Sequence, residues 1–396
     1  MKQSIFEHII AGFKDQTRAD IQKWRNALAL AQSPINPRSY PLQDLYDNLD
    51  SDGHYLAQKE LRKTATSGYG FSIIDKKTGE VNQEKTDFFS GEWFFIFLDY
   101  ALDSIFKGFT LIELTDPKNL TFEVIPRRNV VGTLGIVQRD ISDNKGINFN
   151  AKEYQNTLIK VGKPSDLGLM ADLCGQLIWK RNAQQSWAEF TERFGMPLIT
   201  ATTSQTSPAD IRQLDTMLAE LGESARAVLP DDTTINVTPF AGSDAYKVYD
   251  SQIDRINAEI SKPITGGTMV TDDGSSRSQS EVHERNLDDK LSEADRRMIS
   301  FVVNGQLIPL LNRFKYPFNP ETDKFQFNAS FELSLTEHWN IVNQMIVQGY
   351  DVDEKWLAQT FNVPITGKRP NWTADGSSAN NSADMSAPIP LYKNFC

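Results

Sequence analysis

The spacing of hydrophobic residues predicts that the first part of the chain is mostly helical. Residues 4–30 carry apolar side chains three or four positions apart, which favours a helix with a break near Asp15–Thr17. A second helix is predicted over about 41–66, with an apolar face made of Leu42, Leu45, Tyr46, Leu49, Leu56 and Leu61. Residues 86–107 have helical spacing but are apolar on most sides, so they predict a buried helix.

Short runs of strand-forming residues lie between and after these helices. "GYGFSIIDKKTGE" predicts a strand and a turn, and "FTLIELT", "NLTFEVIPRRNVVG" and "LGIVQRDI" predict three further strands. Turn signals fall at Asp116–Pro117 and near Pro126. Helices and short strands in this order predict an α+β fold.

The pattern changes abruptly in the middle of the chain. A long helix is predicted from Ser165 or Asp166, either of which can cap it, to Phe194, and Gly195 and Pro197 end it. "MPLITATT" then predicts a strand, followed by a helix over 208–221 and two short strands, "SARAVLP" and "TTINVTPF". If the long helices on either side of this insertion run antiparallel, the insertion lies at the far end of a helical hairpin.

The second of these helices is predicted over 243–261. After it, "TGGTMVTDDGSSRSQS" is rich in Gly, Ser, Thr and Asp, which predicts a mobile loop. A very long helix over about 278–314, a strand "KFQFNASFEL" and two short helices over 335–348 and 353–361 follow. The polar residues 364–396 have no periodicity, so we expect a disordered tail.

Composition narrows the class of protein. The 396 residues, 39% of them hydrophobic, are enough for two or more domains with a substantial core. The net charge of −11 argues against tight binding to nucleic-acid phosphates, which depends on Lys and Arg. Glu7 and His8 interrupt the first apolar run, and acidic residues interrupt the richest one, so neither a signal peptide nor a membrane span is predicted. We expect a cytoplasmic protein in which Cys174 is a small core residue that does not pair with Cys396.

Candidate chemistry is sparse. The chain has no common nucleotide-binding, hydrolase or zinc motif, and its four histidines are scattered. Solvation is a more ordinary role than metal binding for the acidic pairs Asp231–Asp232, Asp272–Asp273 and Asp288–Asp289, and for His283 and Glu284. The sequence therefore predicts neither an enzyme, a metal site nor a cofactor.

Two further groups have competing interpretations. Arg127 and Arg128 in "IPRR" could touch a phosphate, but arginines at the end of a strand more often form ion pairs. Trp93, Trp179 and Trp187 fall in apolar helical stripes, so packing in the core or between subunits is favoured over stacking on bases.

Three segments resemble the portal proteins of Mu-like bacteriophages. "RADIQKWRNALALAQSPINPRSYPLQDLYDNLDSDGHYLAQKELRKTATSGYGFSI" looks like the N-terminal region of that family. "WAEFTERFGMPLITA" is similar to its junction between stem helix and clip, and "SEVHERNLDDKLSEADRRMISFVVNGQLIPLLNRF" is similar to its late long helix. The segments occur in the family's order and reach from about residue 18 to residue 314.

The resemblance implies an α+β portal fold with long helices and small β-sheets, assembled as a ring, usually of twelve subunits. It divides the chain into a wing (1–164 and 277–334), stem helices (165–193 and 242–261), a clip (194–241), a tunnel loop (262–276), a small crown (335–363) and a flexible tail (364–396). The implied function is a channel at one capsid vertex through which double-stranded DNA is packaged and ejected.

The resemblance also implies site residues and partners. The tunnel-loop residues expected to face DNA are Thr268, Met269, Thr271, Asp272, Asp273, Gly274, Ser275 and Ser276, and the clip junction comprises Phe194, Gly195, Met196 and Pro197. Because Asp272 and Asp273 make the loop acidic, no cationic grip on DNA is expected. The expected partners are further copies of the chain, DNA bound without sequence preference, the terminase large subunit, the major capsid or scaffold protein, and a head–tail adaptor or neck protein. The expected location is the virion, reached from the host cytoplasm during assembly, with no membrane contact.

Two alternatives remain at this point. One is a soluble, metal-dependent hydrolase or nucleic-acid-processing enzyme that uses an acidic loop such as the one with Asp272 and Asp273. The other is a different ring component of the head–tail connector, which the length of the chain disfavours.

Overall fold

The structure is a computed structural model that describes residues 4–9, 20–141, 145–154, 156–194, 198–203, 207–209, 211–212, 215–216, 233–238, 245–267, 287–328, 335–361 and 363. The chain divides into two compact units, Met1–Asn328 and Ala329–Cys396. Helices and small antiparallel sheets alternate in the first unit, and the described residues of the second form helices. The predicted α+β class is therefore confirmed.

Three helices follow one another near the N-terminus: α1 (Ile21–Ala31), α2 (Tyr40–Leu49) and α3 (Gly53–Ser67). The prediction of one helix over about 41–66 is wrong, because the chain breaks between α2 and α3. The Asp52 side chain accepts a hydrogen bond from the Tyr55 backbone N–H at 3.0 Å and so caps the start of a new helix. In place of the predicted helix over 4–30, the structure has a short 3₁₀ turn at Phe6–His8 and then α1; residues 10–19, with the predicted break, lie outside the described residues.

The apolar segment around residue 95 also forms two helices instead of one. These are α4 (Gln83–Phe89) and α5 (Glu92–Lys107), separated by Ser90 and Gly91. The predicted burial of this segment is confirmed on the inner face of α5, where Phe94, Phe97, Leu98 and Ala101 are fully buried. α5 ends at Gly108, where φ is +84° and a Cβ would lie 2.4 Å from the carbonyl oxygen of Asp166, so that position requires glycine.

Four small antiparallel sheets are described. β1 (Phe71–Asp75) pairs with β10 (Asp323–Phe327). The central strand β2 (Thr110–Asp116) pairs with β3 (Thr121–Val124) and β7 (Leu158–Val161). A third sheet contains β4 (Val130–Val131), β5 (Ile136–Gln138) and β6 (Gly146–Asn148), and β8 (Leu198–Thr203) pairs with β9 (Thr233–Thr238). The strands predicted in "GYGFSIIDKKTGE", "FTLIELT" and "LGIVQRDI" are thereby confirmed. The segment "NLTFEVIPRRNVVG" forms two strands, β3 and β4, separated by a 3₁₀ turn at Arg127–Asn129. The strand predicted in "SARAVLP" lies outside the described residues.

Long helices form the rest of the first unit. α6 (Met170–Phe194) and α7 (Ala245–Thr265) come first. The chain then runs helically from a π turn (Leu287–Ser292) through α8 (Glu293–Val302) and a second π turn (Val303–Leu307) to α9 (Ile308–Arg313). The long helix predicted over 278–314 is confirmed from residue 287 onward, with π turns that the pattern did not predict.

The predicted start of α6 at Ser165 or Asp166 is wrong. The residues before Met170 instead form an irregular connection to the end of α5: Phe109 N–H donates to the Asp166 carbonyl, and Leu169 N–H donates to the Ile105 carbonyl, both at 3.0 Å. Gly168 has φ of +74°, which an α-helix does not allow. α7 in turn extends beyond the predicted end at residue 261, to Thr265.

Buried side chains form separate clusters around the central sheet. Neighbouring residues of β2 point to opposite faces, so that Ile112 packs with α5, α8 and α9 while Leu111 packs with Phe109 and Phe149. A further cluster joins α1, α2, α6 and α7 and contains Tyr46 and Cys174. α5 thus lies against the central sheet, with the base of α6 and α7 in a cluster of its own.

The described part of the second unit is a pair of helices, α10 (Leu335–Val347) and α11 (Glu354–Phe361). Their contact includes the rings of Trp339 and Phe361, with centroids 5.5 Å apart, and Val342 is buried. The predicted helices over 335–348 and 353–361 are confirmed. Among the described residues of both units, no helix is long and apolar enough to cross a membrane.

Candidate functional site: the base of the helical hairpin

Most residues singled out from the sequence lie outside the described part of the chain. These are the tunnel-loop residues predicted to face DNA (Thr268, Met269, Thr271, Asp272, Asp273, Gly274, Ser275 and Ser276), the clip-junction residues Gly195, Met196 and Pro197, and the charged residues Asp231, Asp232, His283 and Glu284. Phe194 is the last residue of α6. The structure does describe the two helices that lead into these segments, and the contacts that hold those helices at their base.

α6 and α7 form an antiparallel hairpin. Toward the end of α6 and the start of α7, the rings of Phe190 and Tyr249 lie 6.2 Å apart. At the other end, Cys174 and Leu177 of α6 pack in one buried cluster with Ile260 of α7. β8 and β9 continue this arrangement, since they too are antiparallel, with Leu198 opposite Thr238. The small insertion therefore does begin at the far end of a helical hairpin.

The opposite end, here called the hairpin base, comprises Met170–Arg181 of α6 and Ile256–Thr265 of α7. Cys174 lies inside it, and burial raises the pKa of its thiol far above the ordinary range. The thiol is therefore neutral at physiological pH and acts as an apolar core group, as predicted.

The start of α3 holds both helices of the hairpin base. Asp52, which caps α3, also accepts a hydrogen bond from Lys180 Nζ of α6 at 2.9 Å. His54 Nε2 lies 2.8 Å from Ser261 Oγ and 3.1 Å from the Asn257 carbonyl oxygen, both on α7. One turn of α3 thus sets the position of α6 and α7 together.

Arg62, two turns further along α3, joins the described chain ends on either side of residues 268–286. Its Nε and Nη2 donate to Oδ2 and Oδ1 of Asp295 in α8, at 2.8 and 2.9 Å, which is a bidentate ion pair. Its Nη1 donates at 3.1 Å to the carbonyl oxygen of Ile264, one of the last carbonyls of α7 that a helix leaves without an internal partner. The side chains of Arg62 and Asp295 are only 8% and 7% exposed. A single guanidinium therefore fixes the end of α7 to the start of α8.

A second contact from α3 fixes the same helix end. Thr265 Oγ1 lies 3.1 Å from Gln58 Oε1 and can donate to it. The next residue, Gly266, has φ of +76°, and its N–H donates to the Lys262 carbonyl at 3.0 Å, which is the geometry of a glycine that ends a helix. Gln58 and Arg62 are one helical turn apart, so they lie on the same face of α3. That face therefore makes two separate hydrogen-bond contacts with the last turn of α7.

The second π turn attaches α8 and α9 to two sheets. Asn304 Nδ2 donates to the Phe325 carbonyl and its Oδ1 accepts from the Phe325 N–H, both at 2.8 Å, on the edge of β10. Gln306 makes the equivalent pair with Lys160 on the edge of β7, at 2.7 and 2.8 Å. These amides take the place of a neighbouring strand. The helix that starts near Arg62 is thereby held rigidly to the sheets.

A group of buried charges lies behind Arg62 on the same face of α3. Asp103 of α5 is within 3.3 Å of Lys59 Nζ and 3.1 Å of Lys63 Nζ. Burial alone would raise the pKa of Asp103, but the cations of Lys59, Arg127 and Lys63 together lower it. Conversely, burial would lower the pKa of Lys63, and Asp103 and Asp99 raise it. The charged forms of Asp103 and Lys63 are thus favoured by neighbours of opposite charge.

The two arginines of "IPRR" also form ion pairs, and Arg127 belongs to this group of charges. Arg127 Nη1 lies 3.7 Å from Asp103, and Arg128 Nη2 lies 3.0 Å from Asp44 of α2. The prediction that they form ion pairs is confirmed, and their side chains are largely buried.

Sequence reasoning missed the functional face of α3. The predicted apolar face contained Leu56 and Leu61, yet Leu56 is exposed and the buried face consists of Tyr55, Gln58, Lys59, Arg62, Lys63 and Thr66. These positions do have helical spacing, so the signal was a periodic stripe of polar residues and not of apolar ones. For the tryptophans, core packing is confirmed for Trp93, which stacks on Phe122. Trp179 is half exposed, so packing between subunits stays a prediction for it.

The arrangement can position chain segments, and the described residues show no reactive centre. Within the described ranges, no group of three or more His, Cys, Asp or Glu side chains is placed to hold a metal ion. The charged side chains at the hairpin base are bonded to one another and to helix ends. Such a network holds α3, α6, α7 and α8 in fixed relation.

Comparison with known proteins gives a consistent set of matches. The sequence model of one family, described as the portal protein of Mu bacteriophage, matches residues 43–363. The Mu-like prophage FluMu protein gp29 of Haemophilus influenzae is 24% identical over 347 residues, which are 81% of this chain and 66% of that protein. This chain thus spans just under two thirds of the length of that curated relative.

Solved structures match over most of the chain at low sequence identity. A chain from the neck of an empty GTA particle, computed with C6 symmetry, has a TM-score of 0.53 and 11% identity, and the match covers 81% of this chain and 93% of that one. A chain from the neck of a native GTA particle, computed with C12 symmetry, has a TM-score of 0.50 and 12% identity, and the match covers 88% of this chain and all of that one. At these identities the likeness shows the fold.

Proposed function

The chain belongs to the family of portal proteins of Mu bacteriophage and has the α+β portal fold, and from this premise we propose that it forms the ring-shaped DNA channel at one vertex of a phage capsid. The observation that carries the proposal is the match of the family model over residues 43–363, which includes the hairpin and the hairpin base. The family is a structural one. Accordingly, the proposed role is a conduit and docking platform without catalytic activity of its own.

The ring is supported by the particles in which the fold recurs. The two matched neck chains come from assemblies with C6 and C12 symmetry, and we propose twelve subunits for this ring. A closed ring needs two different faces on each subunit, one for each neighbour.

We propose the following assignment of parts. α6 and α7 are the stem helices, and β8 and β9 belong to the clip within 194–241. The stem part of α7 ends at residue 261. The tunnel loop is 262–276, whose first four residues are the last turn of α7 and whose residues 268–276 face DNA. The wing is 1–164 and 277–334, and the crown is 335–363. The contacts of Arg62 and Gln58 support this assignment, because they hold both described ends of the proposed loop region against the wing.

The charge of the chain suits a channel through which DNA slides. A net charge of −11 in each subunit, repeated around a ring, repels phosphates on average and limits strong contacts with the duplex. Because the sequence has no common nucleotide-binding motif, we propose that a separate motor ATPase supplies the force for packaging.

The proposed partners are the terminase large subunit, the capsid or scaffold protein, and a head–tail adaptor. The proposed place of assembly is the host cytoplasm, and the proposed final location is the virion.

The experiment is the molar mass of the purified chain by light scattering, with negative-stain images of the same peak. We expect rings of about half a megadalton (twelve copies of the 44.7 kDa chain) with a central hole. A variant lacking 268–276 should form the same rings, because the deletion leaves Arg62, Asp295 and Ile264 in place, and it should package less DNA in a reconstituted head.

A monomer at every concentration tested, together with a thermal shift from micromolar Mg²⁺ or Mn²⁺ that Asp272→Asn abolishes, would contradict the channel and support the hydrolase. Rings whose loop-deleted form packages DNA normally would contradict the role of the loop alone.

A further inference from the structure

α8 carries a partly exposed stripe that contains apolar side chains. Ala294, Arg297, Met298 and Phe301 occupy positions i, i+3, i+4 and i+7, so they share one side of the helix. The opposite side, with Ile299 and Val302, is buried in the core. Phe301 is 72% exposed, which is unusual for a phenylalanine on a helix that is otherwise held rigidly.

The stripe forms one wall of a groove of about 420 Å³ between α8 and the edge of the central sheet. Lys160 and Gly162, at and just beyond the end of β7, form the other wall. Lys160 borders the groove through its backbone, because its ammonium bonds Asn150 Oδ1 and lies over the Phe149 ring. The groove therefore has one apolar wall, with Arg297 as the cation beside it.

α5 carries a stripe with the same spacing and the opposite charge. Glu92, Phe95, Ile96 and Asp99 also lie three and four residues apart, on the side of α5 that faces away from the core. Phe95 and Ile96 are 45% and 40% exposed. Two carboxylates thus flank an aromatic and an aliphatic side chain, whereas the cation of Arg297 lies beside Met298 and Phe301.

The charges of both stripes have local partners that leave them accessible. Arg297 pairs with Glu293 in the preceding turn at 2.6 Å, with the arginine side chain 64% exposed. Asp99 bonds Lys63 at 2.5 Å and remains 55% exposed. The exposed Arg297–Glu293 pair contributes little to stability, so Arg297 can exchange or share partners across an interface. Asp99 keeps its bond to the buried Lys63 and can accept a second cation on its exposed side.

We propose that the α8 stripe of one subunit docks on the α5 stripe of the next copy of this chain, and that this contact closes the ring at the level of the wing. The proposal rests on the proposed ring, and it adds which two surfaces form the interface. Phe301 and Met298 would pack against Phe95 and Ile96, with Arg297 opposite Glu92 and Asp99. Apolar centres with complementary charged rims are the general pattern of specific interfaces.

The two stripes satisfy the requirement for different faces. The α8 stripe borders β7, whereas the α5 stripe borders β1 through Phe71 and α3 through Lys63. A contact between unlike surfaces leaves one stripe of each kind open at the ends of any short chain of subunits. It therefore propagates until the ring closes, which a self-complementary contact does not do.

The first test is Phe301→Glu, which places a carboxylate opposite the carboxylates of α5. We expect the ring peak in light scattering to be lost and a monomer to replace it. Val81→Glu is the matched control, because Val81 is 55% exposed and lies on neither stripe, and this variant should form rings like the wild type. Unchanged far-UV circular dichroism and melting temperature for both variants separate assembly from folding.

A mixing experiment tests the pairing itself. Ile96→Arg should also give a monomer, and a mixture of Phe301→Glu with Ile96→Arg should form 1:1 dimers, because each partner retains one intact stripe of the opposite kind. Dimers in the mixture but not in either variant alone would support the proposed pairing. No dimer in the mixture at concentrations where the wild type forms rings, or rings formed by Phe301→Glu alone, would overturn it.

Charge reversal gives an independent readout. Glu92→Arg and Arg297→Glu should each raise the concentration needed for ring formation at least tenfold, and the double variant should recover most of that loss. No recovery would overturn the pairing of these two rims. If the wild type forms no rings, the proposed ring itself fails, which this series distinguishes from failure of the interface alone.

Discussion

α3 and α5 lie side by side in the same unit but are buried in opposite ways. α5 buries a conventional apolar face with Phe94, Phe97 and Leu98. α3 buries Gln58, Lys59, Arg62 and Lys63, and its leucines lie toward solvent or at the boundary. The two faces meet where Lys63 of α3 bonds Asp103 of α5.

The two kinds of buried face have different roles: apolar burial stabilises the fold, and ion pairs fix the positions of helices. Apolar burial is favourable and roughly proportional to area, but it has little directionality. A bidentate arginine pair is directional, while its net contribution to stability is small once desolvation is included. The face of α5 therefore contributes to the apolar core of the first unit, and the face of α3 fixes the end of α7 and the start of α8. In the proposed portal, that is the place where the channel loop leaves the wing.

The largest effect is expected on the apolar side of this comparison. Phe97→Ala removes a fully buried ring that packs against Phe122 and Phe94, and it should lower the free energy of unfolding by about 4 kcal/mol. Urea unfolding at one fixed protein concentration measures this. Phe97→Leu is the control and should cost clearly less, because it keeps most of the apolar volume. Equal losses for both variants would contradict a packing role.

The same contrast explains what the sequence could predict of the fold. The spacing of hydrophobic residues located α5, the strands around β2, and α10 and α11, because the buried side chains of these elements are apolar. They missed the breaks at Asp52 and at Gly91, since a short break does not disturb the apolar spacing on either side. They also selected the wrong face of α3, because a charged side chain is ordinarily assigned to the surface.

The candidate site was less accessible to sequence reasoning. The resemblance pointed to the loop of Thr268–Ser276, while the side chains that hold its described flanks came only from the structure. Arg62 and Asp295 are 233 residues apart, and neither belongs to a motif. A charged side chain can be buried only when a group of opposite charge lies next to it. A single sequence does not show which distant residue supplies that group.

The second prediction concerns Arg62. Arg62→Met leaves Asp295 buried without its partner and the Ile264 carbonyl uncapped, so it should cost about 3 kcal/mol of unfolding free energy. The double variant Arg62→Met with Asp295→Leu removes both charges and should recover most of this stability. Rings of the double variant should nevertheless package less DNA, because the ends of α7 and α8 are no longer tied together.

Two results would alter this interpretation. If the double variant packages DNA like the wild type, the ion pair has no positional role. If it is as unstable as Arg62→Met alone, the pair stabilises the fold in the way that Phe97 does. Lys262→Ala provides the control, because Lys262 is exposed at the same end of α7 and its pair with Glu259 lies on the surface. Its urea midpoint should be unchanged.

The smallest effect is expected at Asp103, where the two faces meet, and it should depend on pH. The cations of Lys59, Arg127 and Lys63 hold the pKa of this carboxyl below its ordinary value of 3.8, so its ionised form is favoured in the folded state. The resulting stability is fully present above pH 3.8 and is lost as the pH falls through the lowered pKa. Asp103→Asn should cost about 2 kcal/mol at pH 7, measured by urea unfolding.

The pH dependence distinguishes the two kinds of burial directly. The difference between wild type and Asp103→Asn should shrink as the pH is lowered below 3.8, because protonation removes the same charge from the wild type. Asp75 and Asp116 also have lowered pKa values, but they are present in both proteins and cancel from the difference. The difference for Phe97→Ala should stay constant over the same range, since a phenyl ring does not titrate. If the difference in unfolding free energy between wild type and Asp103→Asn stays constant with pH, the carboxylate of Asp103 acts through its shape and hydrogen bonds. Its attraction to the cations of α3 would then contribute nothing measurable to stability.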